Sequence, residues 1–293
     1  MNIYPAEILA AALDGDRLAL SRSLTLYENG ELSGEDISSL GDSSSEFPVV
    51  GITGAPGVGK SCIIDHIVQS WSSAGHRVAV IAVDPTSPIT GGALLGDRLR
   101  MTTSDSSDNV FFRSIATRRH GGGVPGIVRG MLSILRAGGW NRCIVETVGA
   151  GQGEIRISAV AELIVLLEAP DRGDGVQAEK AGLIELADLI VVNKSDLDGA
   201  EKTADEIRQA FEAATTPTPP IILTSATTRD GILEMLASIE SLEINPRTDR
   251  ARAREGLRAM WEQKLLDHED FDTLLDKVVA GNISLEAAIV KIR

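Results

Sequence analysis

Eight consecutive residues, Gly54, Ala55, Pro56, Gly57, Val58, Gly59, Lys60 and Ser61, fit the spacing G-x-x-x-x-G-K-[ST]. Glycines at those positions let the backbone bend until its N–H groups converge on a polyphosphate, and a helix starting there adds partial positive charge. In such a loop Lys60 reaches the terminal phosphates and the hydroxyl of Ser61 holds a magnesium ion. Cys62 follows directly and falls within the same phosphate-facing turn. Three acids are candidates for catalysis and for the metal sphere, together with Ser61. Asp84 closes an apolar run, Asp97 follows the glycine-rich stretch from Thr90 to Gly96, and Glu146 precedes Thr147-Val148-Gly149. A carboxylate three residues before a glycine at a strand end can order magnesium and its waters, while the N–H of Gly149 senses the γ-phosphate.

A second constellation, Asn193-Lys194-Ser195-Asp196, has the N-K-x-D spacing that reads guanine. The carboxylate of Asp196 would accept from the ring N–H and the exocyclic amine, Lys194 would lie over the base, and Asn193 would brace the loop. Ser225-Ala226 stands after the next apolar run, where a backbone N–H commonly meets the guanine oxygen. A buried carboxylate left unpaired by adenine would penalise the wrong base, so the set favours GTP over ATP.

The elements that must position these residues are legible as hydrophobic patterns. The phosphate loop lies between an apolar run at 47–53 and a helical pattern at 62–68, which is the strand, loop and helix context the motif requires. Further strand candidates are Arg77–Val83, Asn109–Ile115, Arg142–Val145, Leu163–Glu168, Leu189–Asn193 and Pro220–Thr224. Their apolar character is continuous rather than alternating, as in strands covered on both faces. Alternation of such strands with helices predicts an α/β P-loop NTPase fold with a mostly parallel, doubly wound sheet. Residues 47–243 are expected to form that domain. Residues 1–46 read as two short helices and a polar, Gly/Ser-rich linker, and 244–293 as a helical tail suited to dimerisation.

Composition narrows the class of partner. The 293 residues carry a formal net charge of -14, which disfavours nucleic acid and anionic membrane surfaces. No apolar run approaches membrane-spanning length, and Met1–Asp14 has no basic leader before an apolar core. Two cysteines, Cys62 and Cys143, make no disulfide framework, and the expected compartment is the cytoplasm.

Taken together, these residues resemble the MeaB/ArgK-type GTPases, the G-protein chaperones associated with methylmalonyl-CoA mutase and formerly described as LAO/AO transport system kinases. The resemblance rests on Gly54–Ser61, on the run from Val83 to Arg98, and on Val145-Glu146-Thr147-Val148-Gly149-Ala150-Gly151-Gln152. Gly173-Asp174, Gln177, Lys180-Ala181-Gly182, Ala187-Asp188 and Asn193–Asp196 complete it. It implies a magnesium-dependent GTP hydrolase, binding GTP and GDP, that acts as a homodimer. Such a protein gates adenosylcobalamin loading or protection of an acyl-CoA mutase, the methylmalonyl-CoA enzyme or a related one. It also places Lys60, Asp84, Asp97 and Glu146 on the family's phosphate- and metal-handling positions, and 169–182 on the segment that communicates with the mutase. Departures include Cys62 where the family usually has threonine, a reshaped segment at 118–126, and Gly175-Val176 where bulkier residues are usual. Arg113, Arg118 and Arg119 are candidates for a finger-like cation. Two rival readings of the same loop are a P-loop kinase and a nucleotide-gated metal-delivery chaperone. Asn193–Asp196 weighs against the first, and the scatter of His66, His76, His120 and His268 against the second.

Overall fold

The computed structural model describes residues 5–40, 47–84, 107–116, 127–147, 155–170, 184–214, 217–243, 246–266 and 268–292. Seven strands form one sheet: β1 (Val50–Thr53), β2 (Val78–Asp84), β3 (Val110–Ala116), β4 (Arg142–Thr147), β5 (Leu163–Glu168), β6 (Leu189–Val192) and β7 (Ile221–Leu223). Their order is β3-β2-β4-β1-β5-β6-β7, and every described pairing is parallel. β1 therefore lies at the centre, and the loop that leaves its carboxyl end opens at the crevice where such sheets bind ligands.

The continuous apolar runs resolve into two faces. Val50, Ile52, Val80, Val165, Leu167 and Val191 pack with helices α4 (Lys60–Ser73) and α7 (Ile232–Ser241). Their neighbours Ala79, Ile81, Ile164, Leu166, Ile190 and Val192 pack on the other face, with α5 (Val128–Ala137) and α6 (Ala200–Ala213). Side chains of a strand alternate between faces, so a sheet covered twice needs apolar residues at both registers. In α4 the spacing of Ile63, Ile64, Ile67, Val68 and Trp71 puts all five on the buried side.

The amino-terminal helices α1 (Pro5–Leu13) and α2 (Arg17–Glu28) match the sequence pattern, with Asp16 capping α2 through the N–H groups of Leu18 and Ala19. The stretch expected to be linker holds another helix, α3 (Gly34–Ser38), started by a capping box in which Ser33 and Asp36 satisfy each other's backbone N–H. Leu20, Leu24, Leu32 and Ile37 join the cluster that contains α5. Arg113 of β3 bonds Glu28 at 2.7 Å. It is thus held by α2. Arg118 and Arg119 lie outside the described residues.

After α7 come α8 (Pro246–Leu266), α9 (Phe271–Val279) and α10 (Leu285–Ile292). α8 lies on the short 3-10 turn Ile155–Ala159 and is fixed by two ion pairs, Arg252–Asp188 at 2.5 Å and Arg156–Glu262 at 2.6 Å. Burial pushes the Asp188 carboxyl up from its ordinary range, against the pull of Arg252 and the N–H of Ile164. Among the described residues no helix is long and apolar enough to cross a membrane.

Candidate nucleotide site

The phosphate loop runs from the end of β1 to the start of α4. Gly54 has φ 142° and Gly59 has φ 100°, both in a region that side chains disfavour. Space adds a second constraint. A Cβ on Gly54 would stand 2.2 Å from the carbonyl oxygen of Leu167, and one on Gly59 would stand 2.3 Å from Nδ2 of Asn193. Lys60 is the first residue of α4 and is buried, its ammonium donating to the carbonyl oxygens of Gly54 at 2.7 Å and Ala55 at 3.2 Å. The cation is thereby laid back along its own loop. Ser61 and Cys62 occupy the same first turn; Cys62 is exposed.

Asn193 ties three loops together. Its Nδ2 donates to the carbonyl of Val58 at 2.7 Å, and its Oδ1 accepts from the N–H of Ala226 at 3.1 Å and the hydroxyl of Thr224 at 3.3 Å. It is 2% exposed, and its bonds to Val58 and Thr224 are buried, shielded from competing water. The expected brace is therefore present, and it joins the phosphate loop to the turn at Ser225-Ala226. Lys194 follows in a left-handed conformation, φ 62°, and the N–H of Ser195 donates to the carbonyl of Thr224.

Asp196 is exposed. Its desolvation would have to come from a bound base. In the turn, the N–H of Ser225 donates to the carbonyl of Asp230 and that of Ala226 to Asn193.

Glu146, at 2% exposure, lies near the end of β4, opposite Ile52 of β1, and the next residue, Thr147, bonds the Thr53 hydroxyl at 3.0 Å. Asp84 is the last residue of the adjacent β2. Its side chain lies outside the described residues, as do Asp97, Gly149 and Gln152. A magnesium site on Ser61 and these carboxylates would have hard oxygen donors only, which is the donor chemistry that ion takes.

Sequence reasoning missed His66. Its Nε2 lies 2.9 Å from the carbonyl oxygen of Ala226. No motif marks that residue; only its position on α4, six residues beyond Lys60, could have drawn attention to it.

A parallel sheet with a glycine-rich phosphate loop after its central strand, braced by the asparagine of an N-K-x-D loop, defines a P-loop GTPase. The family follows from comparison. Residues 20–282 match the model of the family described as "Methylmalonyl Co-A mutase-associated GTPase MeaB", and the chain belongs to that family. A putative GTPase of Pyrococcus abyssi is 38% identical over 291 residues, covering 97% of this chain and 87% of that protein. A fused isobutyryl-CoA mutase of Geobacillus kaustophilus is 34% identical over 209 residues, covering 68% of this chain and 19% of that much longer one. Among solved structures, that of a LAO/AO transport system kinase has the same fold, with a TM-score of 0.66 at 24% identity, covering 100% of this chain and 97% of that chain.

Proposed function

We propose that this GTPase is a G-protein chaperone that gates adenosylcobalamin loading or protection of an acyl-CoA mutase. The observation that carries the nucleotide half is the Asn193 brace. It holds the phosphate loop, the N-K-x-D loop and the Ser225-Ala226 turn as one unit, which a reader of a whole guanine nucleotide requires. The mutase half is supported by the family's description and by the relative whose name is that of a mutase and which contains a segment similar to this chain. That alignment covers about a fifth of the relative, leaving room in the same chain for other domains.

In this reading the N–H groups of residues 54–62 cradle the phosphates, and Lys60 swings from its loop carbonyls onto the β- and γ-phosphates. Ser61, Asp84, Asp97 and Glu146 would hold magnesium directly or through its waters, and the ion would supply charge neutralisation for phosphoryl transfer. Gly149 contacts the γ-phosphate. Asp196 pairs with the guanine N–H groups, Lys194 covers the ring, and Ala226 shares its N–H between Asn193 and the guanine oxygen.

Residues 47–243 form the nucleotide unit in this assignment, flanked by the helices of 1–46 and 244–293. The protein is placed in the cytoplasm as a homodimer joined through 244–293. Leu257, Trp261, Val279, Leu285 and Val290 of α8–α10 are 52–80% exposed, an apolar complement suited to a second copy.

The test is a GTPase assay on the purified chain, alone and with each acyl-CoA mutase of its organism, with ATP as control. Acceleration of GTP turnover by one mutase, with ATP unchanged, is the expected result. Equal rates with and without every mutase would overturn the chaperone reading. Separately, Asp196→Asn should relax guanine preference, and retention of full preference would sink the base-loop assignment.

A further inference from the structure

The turn that presents Ala226 to the base is anchored on one side by Asn193, but a second anchor comes from a different element. His66 sits half-buried on α4, the helix whose first turn carries Lys60 and Ser61. Its Nε2 approaches the Ala226 carbonyl at 2.9 Å. A carbonyl oxygen can only accept, so Nε2 carries the hydrogen and the imidazole is the donor. Ala226 is then held at both of its backbone groups, its N–H by Asn193 at 3.1 Å and its C=O by His66.

The two peptide planes that meet at the Ala226 Cα are thus fixed from opposite sides. The following residues, Thr227 to Asp230, are exposed, and Arg229 adopts φ 68°, so the turn leaves the site through a sparsely populated conformation. With the carbonyl released, rotation about Ala226 would carry its N–H away from the plane of the base. The bond also closes a ring: Val58 to Asn193, Asn193 to Ala226, Ala226 to His66, and back along α4 to the phosphate loop. A displacement of α4 is therefore passed to the base turn through a hydrogen bond rather than through a flexible loop.

We propose that His66 is a positioning residue for guanine recognition, holding the Ala226 N–H where it meets the 6-oxygen of the base and coupling that contact to the phosphate-binding helix. The proposal rests on the guanine-site reading given above. It assigns His66 no part in the chemical step.

The experiment is an equilibrium titration of the full chain with fluorescent GDP, competed by unlabelled GDP and IDP, alongside steady-state GTP hydrolysis and thermal melting. His66→Ala removes the donor, and His66→Gln restores an N–H donor of comparable reach. His66→Ala should weaken GDP about tenfold, in line with the loss of one partly buried hydrogen bond, and raise KM for GTP by a similar factor. At saturating GTP, kcat should stay within about twofold, a split that general loosening of the fold would not give. Inosine keeps the 6-oxygen and lacks the 2-amine, so GDP and IDP should weaken by the same factor. His66→Gln should recover most of the affinity.

If cooperatively melting His66→Ala binds GDP as tightly as the parent chain, the proposal is overturned. A fall in kcat with unchanged KM would overturn it as well. Should His66→Ala fail to fold, His66→Gln decides alone: near-parental GDP affinity supports a donor role, and a loss as large as tenfold refutes it. Asp196→Asn run in parallel separates the two levels of inference. If it narrows the gap between GDP and IDP while His66→Ala does nothing, the base site stands and the His66 role falls. If neither substitution matters, the base-site reading itself has failed.

Discussion

Lys60 and Asn193 illustrate two uses of a buried polar side chain. Lys60 keeps its ammonium on carbonyls of its own loop, a store of charge that can be redirected to phosphate. Removing it takes away one preorganised cation aimed at charge that develops during transfer, so Lys60→Ala should lower kcat/KM for GTP by at least about 10²-fold in a phosphate-release assay. Asn193 spends its side chain on protein partners, and its value lies in geometry. The two cysteines give a further residue-scale prediction. Cys143 is 3% exposed and burial pushes its thiol up to about 12, so it stays protonated and unreactive near neutral pH. Cys62 is exposed in the first turn of α4. Native protein should therefore titrate one thiol with a disulfide reagent at pH 8, unfolded protein two, and GDP should slow the native reaction if the phosphate-loop placement is right.

At the scale of elements, α8 is docked less by apolar contact than by charge. Its anchor is Arg252, whose guanidinium meets Asp188 beneath the helix, where both side chains are at most 9% exposed. Replacing one partner of such a pair leaves the other charge buried without compensation, so Arg252→Ala should cost about 3–5 kcal/mol in a denaturant titration at pH 7. The pH dependence has a definite sign. Burial already raises the Asp188 carboxyl, and loss of the arginine raises it further, so the folded variant binds a proton more tightly than the unfolded chain. Stability from such a raised group is present at low pH and lost as pH rises through the folded value. The deficit of Arg252→Ala relative to the parent chain should therefore shrink between pH 7 and pH 5. An equal or larger deficit at pH 5 would show that the pair is not what the helix loses. The same element-scale view explains α3, whose capping box Ser33-Gly34-Glu35-Asp36 was present in the sequence but hidden in a stretch rich in Gly and Ser.

For the whole molecule, a sheet covered on both faces leaves most of the exposed large apolar side chains among the described residues on the carboxyl-terminal helices, and that is where association is expected. Trp261 is 52% exposed while Trp71 and Trp140 are buried, so its emission reports on that surface. If the chain dimerises through α8–α10, Trp261→Glu should shift the mass measured by light scattering toward the monomer while leaving GTP turnover in place; an unchanged mass would exclude this surface. Much was legible before any coordinates. The phosphate loop, the N-K-x-D loop and all seven strands follow from short-range pattern, because glycine spacing, apolar runs and strand-end acids are local demands of backbone geometry and burial. The asparagine brace was legible in part, as a role without its partners. What the chain order could not supply was which residues meet: Arg113 with Glu28, Arg252 with Asp188, and His66 with Ala226, 160 positions away. Those contacts join segments remote in sequence, and a hydrogen bond or ion pair carries no periodic signature, so only the tertiary packing of helices on the sheet decides them.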